Sequence, residues 1–495
     1  MKERIYGTEC EYALCYQSED KETMSQLEGE DLLEYQKGLT TYLLCSLRDK
    51  GCPLAGEFLG NGGRFYMDRG GHPEYATPEC RSVRDLVAHE KAGDRIVQEL
   101  VEVARLLMVQ QGGSRSLHIF KNNVDLYGNT YGGHENYLIT PWAMKQIRKI
   151  IPFLVTRQIF TGTGKVMTRW DPGDVVYQLS QRADFIDRVL TDRTSKERGI
   201  INTRKREIPR EGQNIRFHII LGDCNMSEYA IGLKIGTTGL VLRLLEAGAL
   251  NGIPGLSSPV QALKSISRSF NGPLRVEERK QRYTALEIQS MYLEKVQRFF
   301  SAHQASGEED EILQLWASTL ENLKKLKLSS KTWELEEDPK DLKRRIDWIL
   351  KLWILNRFIK KNGIDWGDMR LKSLDLKYHD LDPETGLFER CQALDLVDRM
   401  LDEEEIRRAQ SAPPRGTRAW TRGMIIRNTM DKNVEVRIED WEKINIRAQR
   451  HPGNIHFFDR HIRMVNALGI KLEDPFQTDN LSVLKKVEHF VEIWS

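Results

Sequence analysis

The sequence lacks a long hydrophobic run, a large charge excess and a cysteine cluster at metal-binding spacing. No stretch of about 18 residues is continuously apolar, which argues against a membrane-spanning helix. The N-terminal residues MKERIYGTECEYA also lack the apolar core of a signal peptide. Lys and Arg exceed Asp and Glu by 74 − 72 = +2, so the charge balance argues against wholesale nucleic-acid binding. We expect neither a membrane nor a nucleic-acid partner.

Cysteine usage points to a reducing compartment. The seven cysteines are odd in number and scattered along the chain. No CxxC pair and no Cys/His group has the spacing of a zinc finger. Free thiols in a cytoplasmic protein are the interpretation that this pattern favours.

The 495 residues, 40% of them apolar, are enough for a large core and about two to four domains. Strand-like segments dominate 3–80 and 115–225 and long helices dominate the rest, without regular βαβ spacing, which predicts an α+β fold. Capping boxes predict helices after Thr284 and Ser306. A third helix is predicted between Asp338 and Gly363. The segment SAPPRG predicts a linker or a turn between a large domain, 1–410, and a small C-terminal domain, 411–495.

An acidic pair marks the first predicted strand, IYGTECEYAL. Glu9 and Glu11 are two residues apart, so they share one face of a strand while Cys10 faces the other way. Adjacent carboxylates repel each other, and this repulsion is tolerated in water or around a cation. Oxygen ligands with room for nucleotide phosphates are typical of Mg²⁺. The alternative is an exposed acidic edge strand.

A second strand presents three polar side chains in a row. In NGGRFYMDRGGHPEY, Arg64, Tyr66 and Asp68 alternate with Phe65 and Met67, so one face is apolar and the other polar. Glu74 and Thr77 follow shortly after. In a third strand, IRFHIILGDCN, Arg216 and His218 lie opposite Phe217 and Ile219. Together these strands predict a sheet whose polar face holds phosphates and a metal.

Six arginines and no acidic residue lie between Ile406 and Met430. Such a segment could contact phosphates or an acidic partner. A basic surface balanced by acids from elsewhere in the fold explains it equally well.

At this point a family resemblance becomes evident. NGGRFYMDRGGHPEYATPEC, KNNVDLYGNTYGGHENYL, LSQRADF, GIINTR, HIILGDCNMSE and VRIEDWEKI resemble, in order, motifs of the Pup ligase and depupylase family. The likeness extends over nearly the whole chain. It implies a glutamine-synthetase-like large domain, with a curved and mostly antiparallel sheet cradled by helices, and a small C-terminal domain.

The resemblance also implies roles for single residues. Glu9, Tyr66 and Glu74 match magnesium ligands of the family, and Glu11 and His218, which lie in its motifs, are further candidate ligands. His134 also lies in a family motif, without an assigned role. Asp68 matches the catalytic aspartate. Nucleotide contacts are implied for Arg64, Thr77, Arg204 and Trp441. NTRKREIP replaces the family's NTRDEPH, so the roles of the missing acidic and histidine residues have no counterpart here.

The choice between ligase and depupylase depends on spacing. Depupylases resemble this chain but carry a long loop between the first two motifs, whereas Glu9 and Asp68 are only 59 residues apart here. The spacing D-R-G-G-H-P-E is also similar to that of the ligases, while RGIINTR and GLKIGTT are closer to depupylases. We expect the ligase, with the depupylase or deamidase as the alternative. A small-molecule carboxylate–amine ligase and an inactive scaffold are further alternatives.

The expected activity uses ATP and Mg²⁺. The resemblance implies that ATP phosphorylates the γ-carboxylate of the C-terminal glutamate of Pup or a Pup-like modifier. A lysine of a target protein then forms an isopeptide bond, which marks the target for a bacterial proteasome.

Overall fold

The computed structural model describes most of the chain. The described residues are 3–16, 29–49, 54–55, 57–112, 116–125, 128–167, 176–193, 197–203, 214–276, 281–329, 331–430, 432, 434–448, 467–476 and 481–494. The chain divides into two compact units. The first comprises 1–19, 82–87 and 116–402, and the second comprises 20–81, 88–115 and 403–495.

The first unit contains a five-stranded sheet. In spatial order its strands are Arg188–Thr191, Gly199–Asn202, Ile215–Ile219, Gly133–Ile139 and Tyr6–Glu11. The first two strands are parallel and the other neighbours are antiparallel. Further strand pairs join Ala13–Tyr16 to Leu117–Phe120 and Lys165–Val166 to Tyr177–Gln178. Short hairpins join Leu274–Arg275 to Arg282–Tyr283 and Leu328–Ser329 to Glu334–Leu335.

Helices cover the apolar face of this sheet. Tyr137, Phe217 and Glu135 are buried on that face, where the guanidinium of Arg157 pairs with the Glu135 carboxylate. The principal helices of the unit are Ile151–Thr156, Glu228–Glu246, Pro259–Arg268, Ala285–Ala302, Gly307–Lys325, Asp347–Asn362, Met369–Tyr378 and Leu387–Ala393. Shorter helical segments are Pro141–Lys145, Ile147–Ile150, Gln158–Thr161, Ala183–Phe185 and Lys340–Lys343.

The second unit has a four-stranded antiparallel meander and a three-stranded antiparallel sheet. The meander runs through Leu54–Ala55, Phe58–Leu59, Arg64–Met67 and Pro73–Ala76. The other sheet contains Val434–Ile438, Lys443–Ala448 and Ala467–Lys471. The helices are Gly29–Asp49, Val83–Gln110 (which starts in the first unit), Glu403–Ser411, Arg418–Thr429 and Leu481–Trp494.

These elements confirm the α+β expectation, and both predicted capping boxes are present at Thr284 and Ser306. The single helix predicted between Asp338 and Gly363 is wrong, because two helices occupy this range and Ile346 between them is extended. The break has a tertiary cause: the buried Asp347 carboxylate accepts hydrogen bonds from the Ser227 amide and the Tyr378 hydroxyl. Among the described residues, no helix has both the length and the apolarity needed to cross a membrane.

Candidate metal and phosphate site residues

Glu9 is held by three side chains in the first unit. It lies directly across from His134 on the neighbouring strand, and its Oε2 is 3.1 Å from the Nδ1 atom of that histidine. The other oxygen accepts hydrogen bonds from Asn136 at 3.2 Å and from Arg216 at 2.5 Å. Burial alone would raise the pKa of Glu9, but Arg216 and the two histidines His134 and His218 hold it well below its usual value. The carboxylate is therefore ionised at neutral pH.

His218 adds a neutral imidazole to this cluster. Its side chain is 2% exposed, and its Nε2 lies 3.6 Å from Glu9 Oε2, too far for a normal hydrogen bond. Burial lowers the pKa of His218 to about 4, with the Glu9 carboxylate opposing that shift. Ligand atoms of Glu9, His134 and His218 all lie within 4.8 Å of one another. One carboxylate and two imidazoles can hold a divalent cation, and the imidazole nitrogens also suit Zn²⁺.

Glu11 is placed by the turn before the next strand. Its Oε2 accepts a hydrogen bond from the Gly132 amide at 2.7 Å. A Cβ atom at Gly132 would lie 2.3 Å from His134 Nε2 and 2.9 Å from Glu11 Oε1. The absence of a side chain at position 132 therefore lets the carboxylate and the imidazole approach the same space.

Arg182 is a further candidate site residue, which the sequence patterns alone did not indicate. It is 2% exposed, and its Nε and Nη1 atoms have no hydrogen-bond partner among the described residues. Burial lowers the pKa of Arg182, and the strongest opposing influence is the Glu11 carboxylate. A buried guanidinium with open donors is costly unless an anion binds it. Arg182 lies within LSQRADF, one of the segments that carry the family resemblance, but no periodicity singles it out there, whereas its burial does.

The loop that carries Arg182 is anchored by the buried carboxylate of Asp223. This carboxylate accepts hydrogen bonds from the backbone amides of Thr163, Gln181 and Arg182 at 3.0–3.2 Å. The Ser180 hydroxyl donates a further hydrogen bond at 2.9 Å. So many donors on one carboxylate fix the backbone from which the Arg182 side chain extends.

In the second unit, the strand Arg64–Met67 carries the predicted polar row. Phe65 is fully buried, whereas Arg64, Tyr66 and Met67 are half-buried. The expected alternation therefore holds for Phe65 and is weaker at Met67. Tyr66 lies directly across from Glu74 on the next strand, so the two predicted metal ligands are neighbours. The Arg64 guanidinium lies 4.1 Å from the centre of the Tyr66 ring and donates to Glu57 at 2.9 Å.

Asp68 begins the turn that follows this strand. Its Oδ1 accepts a hydrogen bond from the His72 amide at 2.6 Å, and its own amide donates to the His72 carbonyl at 2.9 Å. The turn therefore fixes the orientation of the Asp68 carboxylate. Glu74 and Thr77, on the far side of the turn, are 5% and 4% exposed.

Trp441 packs at the edge of the C-terminal core. Its ring meets Phe58 edge-on at a centroid distance of 5.1 Å, and the buried guanidinium of Arg422 lies 4.8 Å from its centre. Both Arg422 and Arg418 pair with Glu79. Burial would raise the pKa of Glu79, but these two arginines lower it to about 2. Two arginines of the basic segment 406–430 are therefore neutralised by Glu79, which lies outside that segment. The Trp441 side chain itself is half-buried.

Arg204 lies outside the described residues. The other predicted site residues fall into two groups within the units. Glu9, Glu11 and His218 come together in the first unit around His134, to which no metal role was assigned from the sequence. Arg64, Tyr66 and Glu74 lie on two adjacent strands of the second unit, and Asp68 and Thr77 directly follow these strands. Trp441 belongs to neither group.

Comparison with known proteins identifies the family of this chain. A family model described as Pup-ligase protein matches residues 4–445. The Pup–protein ligase of Xylanimonas cellulosilytica is 36% identical over 460 residues, covering 91% of this chain and 95% of the relative. The Pup–protein ligase of Pseudarthrobacter chlorophenolicus is 34% identical over 455 residues, with the same shares of both chains covered.

Two solved structures share the fold. The complex of the prokaryotic ubiquitin-like protein Pup with its ligase PafA matches with a TM-score of 0.82 and 29% identity, covering 100% of this chain and 94% of that one. The Pup ligase PafA in complex with ADP matches with a TM-score of 0.76 and 30% identity, covering 88% and 90%. The fold expectation is therefore confirmed.

Proposed function

Since this chain belongs to the Pup-ligase protein family, we propose that it is an ATP-dependent ligase that joins Pup or a Pup-like modifier to lysines of other proteins. The observation that carries this proposal is the 36% identity to a Pup–protein ligase over 91% of the chain. The ADP complex of a structural relative supports the use of ATP. The product is an isopeptide bond that marks the target for a bacterial proteasome. We place this activity in the cytoplasm.

Ligation needs an activated carboxylate, because hydroxide is a poor leaving group. Transfer of the γ-phosphoryl group of ATP to the modifier's C-terminal glutamate makes an acyl phosphate, from which phosphate leaves readily when the lysine amine attacks the carbonyl carbon. Mg²⁺, when bound, offsets the repulsion between the carboxylate and the phosphates. We assign Glu9, Glu11, His134 and His218 in the first unit as candidate metal ligands, and the resemblance implies the same role for Tyr66 and Glu74 in the second. The ionised Glu9 and the neutral His218 have the protonation states that metal ligation requires.

Cationic side chains provide the complementary charge for phosphate. We assign Arg64 and Thr77 to the nucleotide, and we add Arg182 as a donor to a phosphoryl or carboxylate oxygen. Arg204 keeps the nucleotide role that the resemblance implies. Donors already held in place before the reaction stabilise developing charge more than solvent does.

Asp68 is our candidate general base. A free lysine has a pKa near 10.4, so the attacking amine must lose a proton during the reaction. The hydrogen bond from the His72 amide fixes the orientation of the Asp68 carboxylate, and a carboxylate held in one orientation is suited to accept that proton. Asp68 is a weak base, so its contribution would come from its position beside the attacking amine.

One incubation tests the proposal. The protein, ATP, Mg²⁺, a lysine-bearing protein and a modifier ending in glutamate are combined, and the products are analysed by mass spectrometry. We expect a conjugate linked through the γ-carboxylate. Cleavage of a preformed conjugate, with no synthesis, would instead identify a depupylase.

Glu9→Gln should weaken the binding of the Mg²⁺–nucleotide complex by at least about tenfold, since even the outer partners of metal ligands contribute about 10- to 100-fold in affinity. It should also lower the melting temperature, because the ionised form of Glu9 is stabilised in the fold by Arg216. Calorimetry measures the nucleotide affinity of the variant, and thermal unfolding measures its stability.

Glu246→Gln is the control, since it breaks the buried pair with Arg4 and should lower the melting temperature without changing nucleotide affinity. Unchanged affinity in Glu9→Gln would remove this residue from the metal site.

Trp441→Ala should raise the apparent KM for ATP by about 2- to 12-fold. This range corresponds to the loss of an aromatic contact of about 0.5–1.5 kcal/mol, since about 1.4 kcal/mol changes an equilibrium tenfold. Trp420→Ala is the matched control, because Trp420 packs partly buried against the same core but has no assigned nucleotide contact. ATP titration and thermal unfolding are measured on both variants. Equal loss of stability with no change in KM for either variant would make Trp441 a packing residue only.

A further inference from the structure

Two buried cysteines meet in the first unit, on the opposite side of the strand from the acidic pair. The sulfur atoms of Cys10 and Cys224 are 2.9 Å apart, and both residues are free thiols that are 3% and 2% exposed. Cys10 lies between Glu9 and Glu11 in the sequence. Because side chains alternate along a strand, its sulfur points away from the face that carries the two carboxylates.

A glycine makes this approach possible. Gly133 is the cross-strand partner of Cys10, and a Cβ atom at Gly133 would lie 2.9 Å from the sulfur of Cys224. The Cys224 sulfur therefore occupies the space beside Cys10 that a side chain at position 133 would otherwise take. A disulfide bond is about 2.0 Å long, so closure requires the sulfurs to approach by roughly 0.9 Å.

Hydrogen bonds prepare Cys224 to react as a nucleophile. Its sulfur accepts hydrogen bonds from the Cys10 thiol and from the Asn123 side-chain amide, the latter at 3.3 Å. Burial would raise the pKa of Cys224, but the Cys10 thiol and the ammonium groups of Lys121 and Lys234 lower it. The thiolate is the reactive form of cysteine toward oxidants.

We propose that Cys10 and Cys224 form a reversible disulfide on exposure to a peroxide and that this bond slows ligation. In the first step, the Cys224 thiolate attacks one oxygen of hydrogen peroxide, which breaks the O–O bond and leaves a sulfenic acid and, after protonation, water. The Cys10 thiol then attacks the sulfenic sulfur and releases a second water. Two thiols are oxidised, one peroxide is reduced, and a thiol reductant reverses the reaction.

The effect of the disulfide on ligation rests on the proposed function and is transmitted through the backbone of Gly132. The Gly132 carbonyl accepts a hydrogen bond from the Cys224 thiol at 3.3 Å, and the Gly132 amide donates to Glu11 at 2.7 Å. The disulfide consumes the Cys224 proton that binds this carbonyl and draws Cys10, the neighbour of Glu9 and Glu11, toward Cys224. Both changes disturb carboxylates assigned to the metal.

The test treats the purified protein with hydrogen peroxide and maps disulfides by mass spectrometry after alkylation. We expect a linked pair of peptides containing Cys10 and Cys224, with a mass loss of about 2 Da. Conjugation should fall about tenfold and recover with dithiothreitol. Cys10→Ser and Cys10→Ala should keep their conjugation rate under peroxide, with sulfenic acid trapped at Cys224. Cys391→Ser, which removes another buried thiol, should respond like the wild type.

Reduced peptides at both positions under peroxide would overturn the proposal, as would a disulfide that leaves conjugation unchanged. The mapping does not depend on enzymatic activity. A protein that forms the disulfide but never conjugates, even when reduced, would therefore contradict the proposed function and not the disulfide.

Discussion

Asp68→Asn should reduce conjugation by about 10²-fold or more, which is a reasonable loss for a general base, while ATP affinity changes by no more than a few fold. The amide is nearly isosteric with the carboxylate, and its oxygen can still accept the hydrogen bond from the His72 amide. The turn therefore stays intact, but the side chain no longer accepts the proton of the lysine. Single-turnover conjugation and nucleotide titration of the variant measure the two effects separately.

Asp68→Ala serves as the control for the structural contribution of this side chain. It removes the acceptor for the His72 amide together with the base, so it should lower the melting temperature, whereas Asp68→Asn should not. Conjugation by Asp68→Asn at a rate near that of the wild type would exclude the base assignment.

Arg182→Met should abolish most of the activity without destabilising the protein. Its open donors are in place to bind an anionic oxygen, and loss of one such donor typically costs about 10²–10³-fold in rate. In the free protein, the same guanidinium is buried with Nε and Nη1 unpaired, so an apolar side chain of similar length should leave stability unchanged or raise it. For this variant we therefore expect a large fall in conjugation rate and a melting temperature that is unchanged or higher.

Arg157→Met is the matched control for this second prediction. Arg157 is also buried but pairs with Glu135, so its replacement leaves an uncompensated carboxylate and should cost about 3–5 kcal/mol of stability. If Arg182→Met were destabilised to the same extent, Arg182 would be a structural residue and its assignment to the site would fail.

Local patterns in the sequence were sufficient to predict which side chains share a strand face and where two of the helices begin. The alternation around Phe65 predicted the polar row of Arg64, Tyr66 and Asp68, and the capping boxes at Thr284 and Ser306 marked true helix starts. These features depend only on residues that are close together in the sequence, so a short segment of the chain is enough to predict them.

Features that depend on distant contacts were not predictable in this way. The break before Asp347 arises from hydrogen bonds to Ser227 and Tyr378, which lie far away in the sequence. The meeting of Glu9 with His134 requires the strand register, and the open donors of Arg182 appear only once the surrounding core is built. The meeting of Cys10 with Cys224 likewise needs a glycine at the cross-strand position. The assigned roles of Thr77 and Trp441 come from the family resemblance, since neither residue type nor spacing suggests a nucleotide contact.

The central claim is that ATP activates the modifier's γ-carboxylate by phosphorylation, and an oxygen-18 transfer experiment tests it most directly. The modifier is prepared with oxygen-18 in the γ-carboxylate of its C-terminal glutamate and incubated with the protein, ATP, Mg²⁺ and a lysine-bearing target. The account predicts that the inorganic phosphate released with each conjugate carries one labelled oxygen. Unlabelled phosphate, or label recovered in AMP, would contradict it.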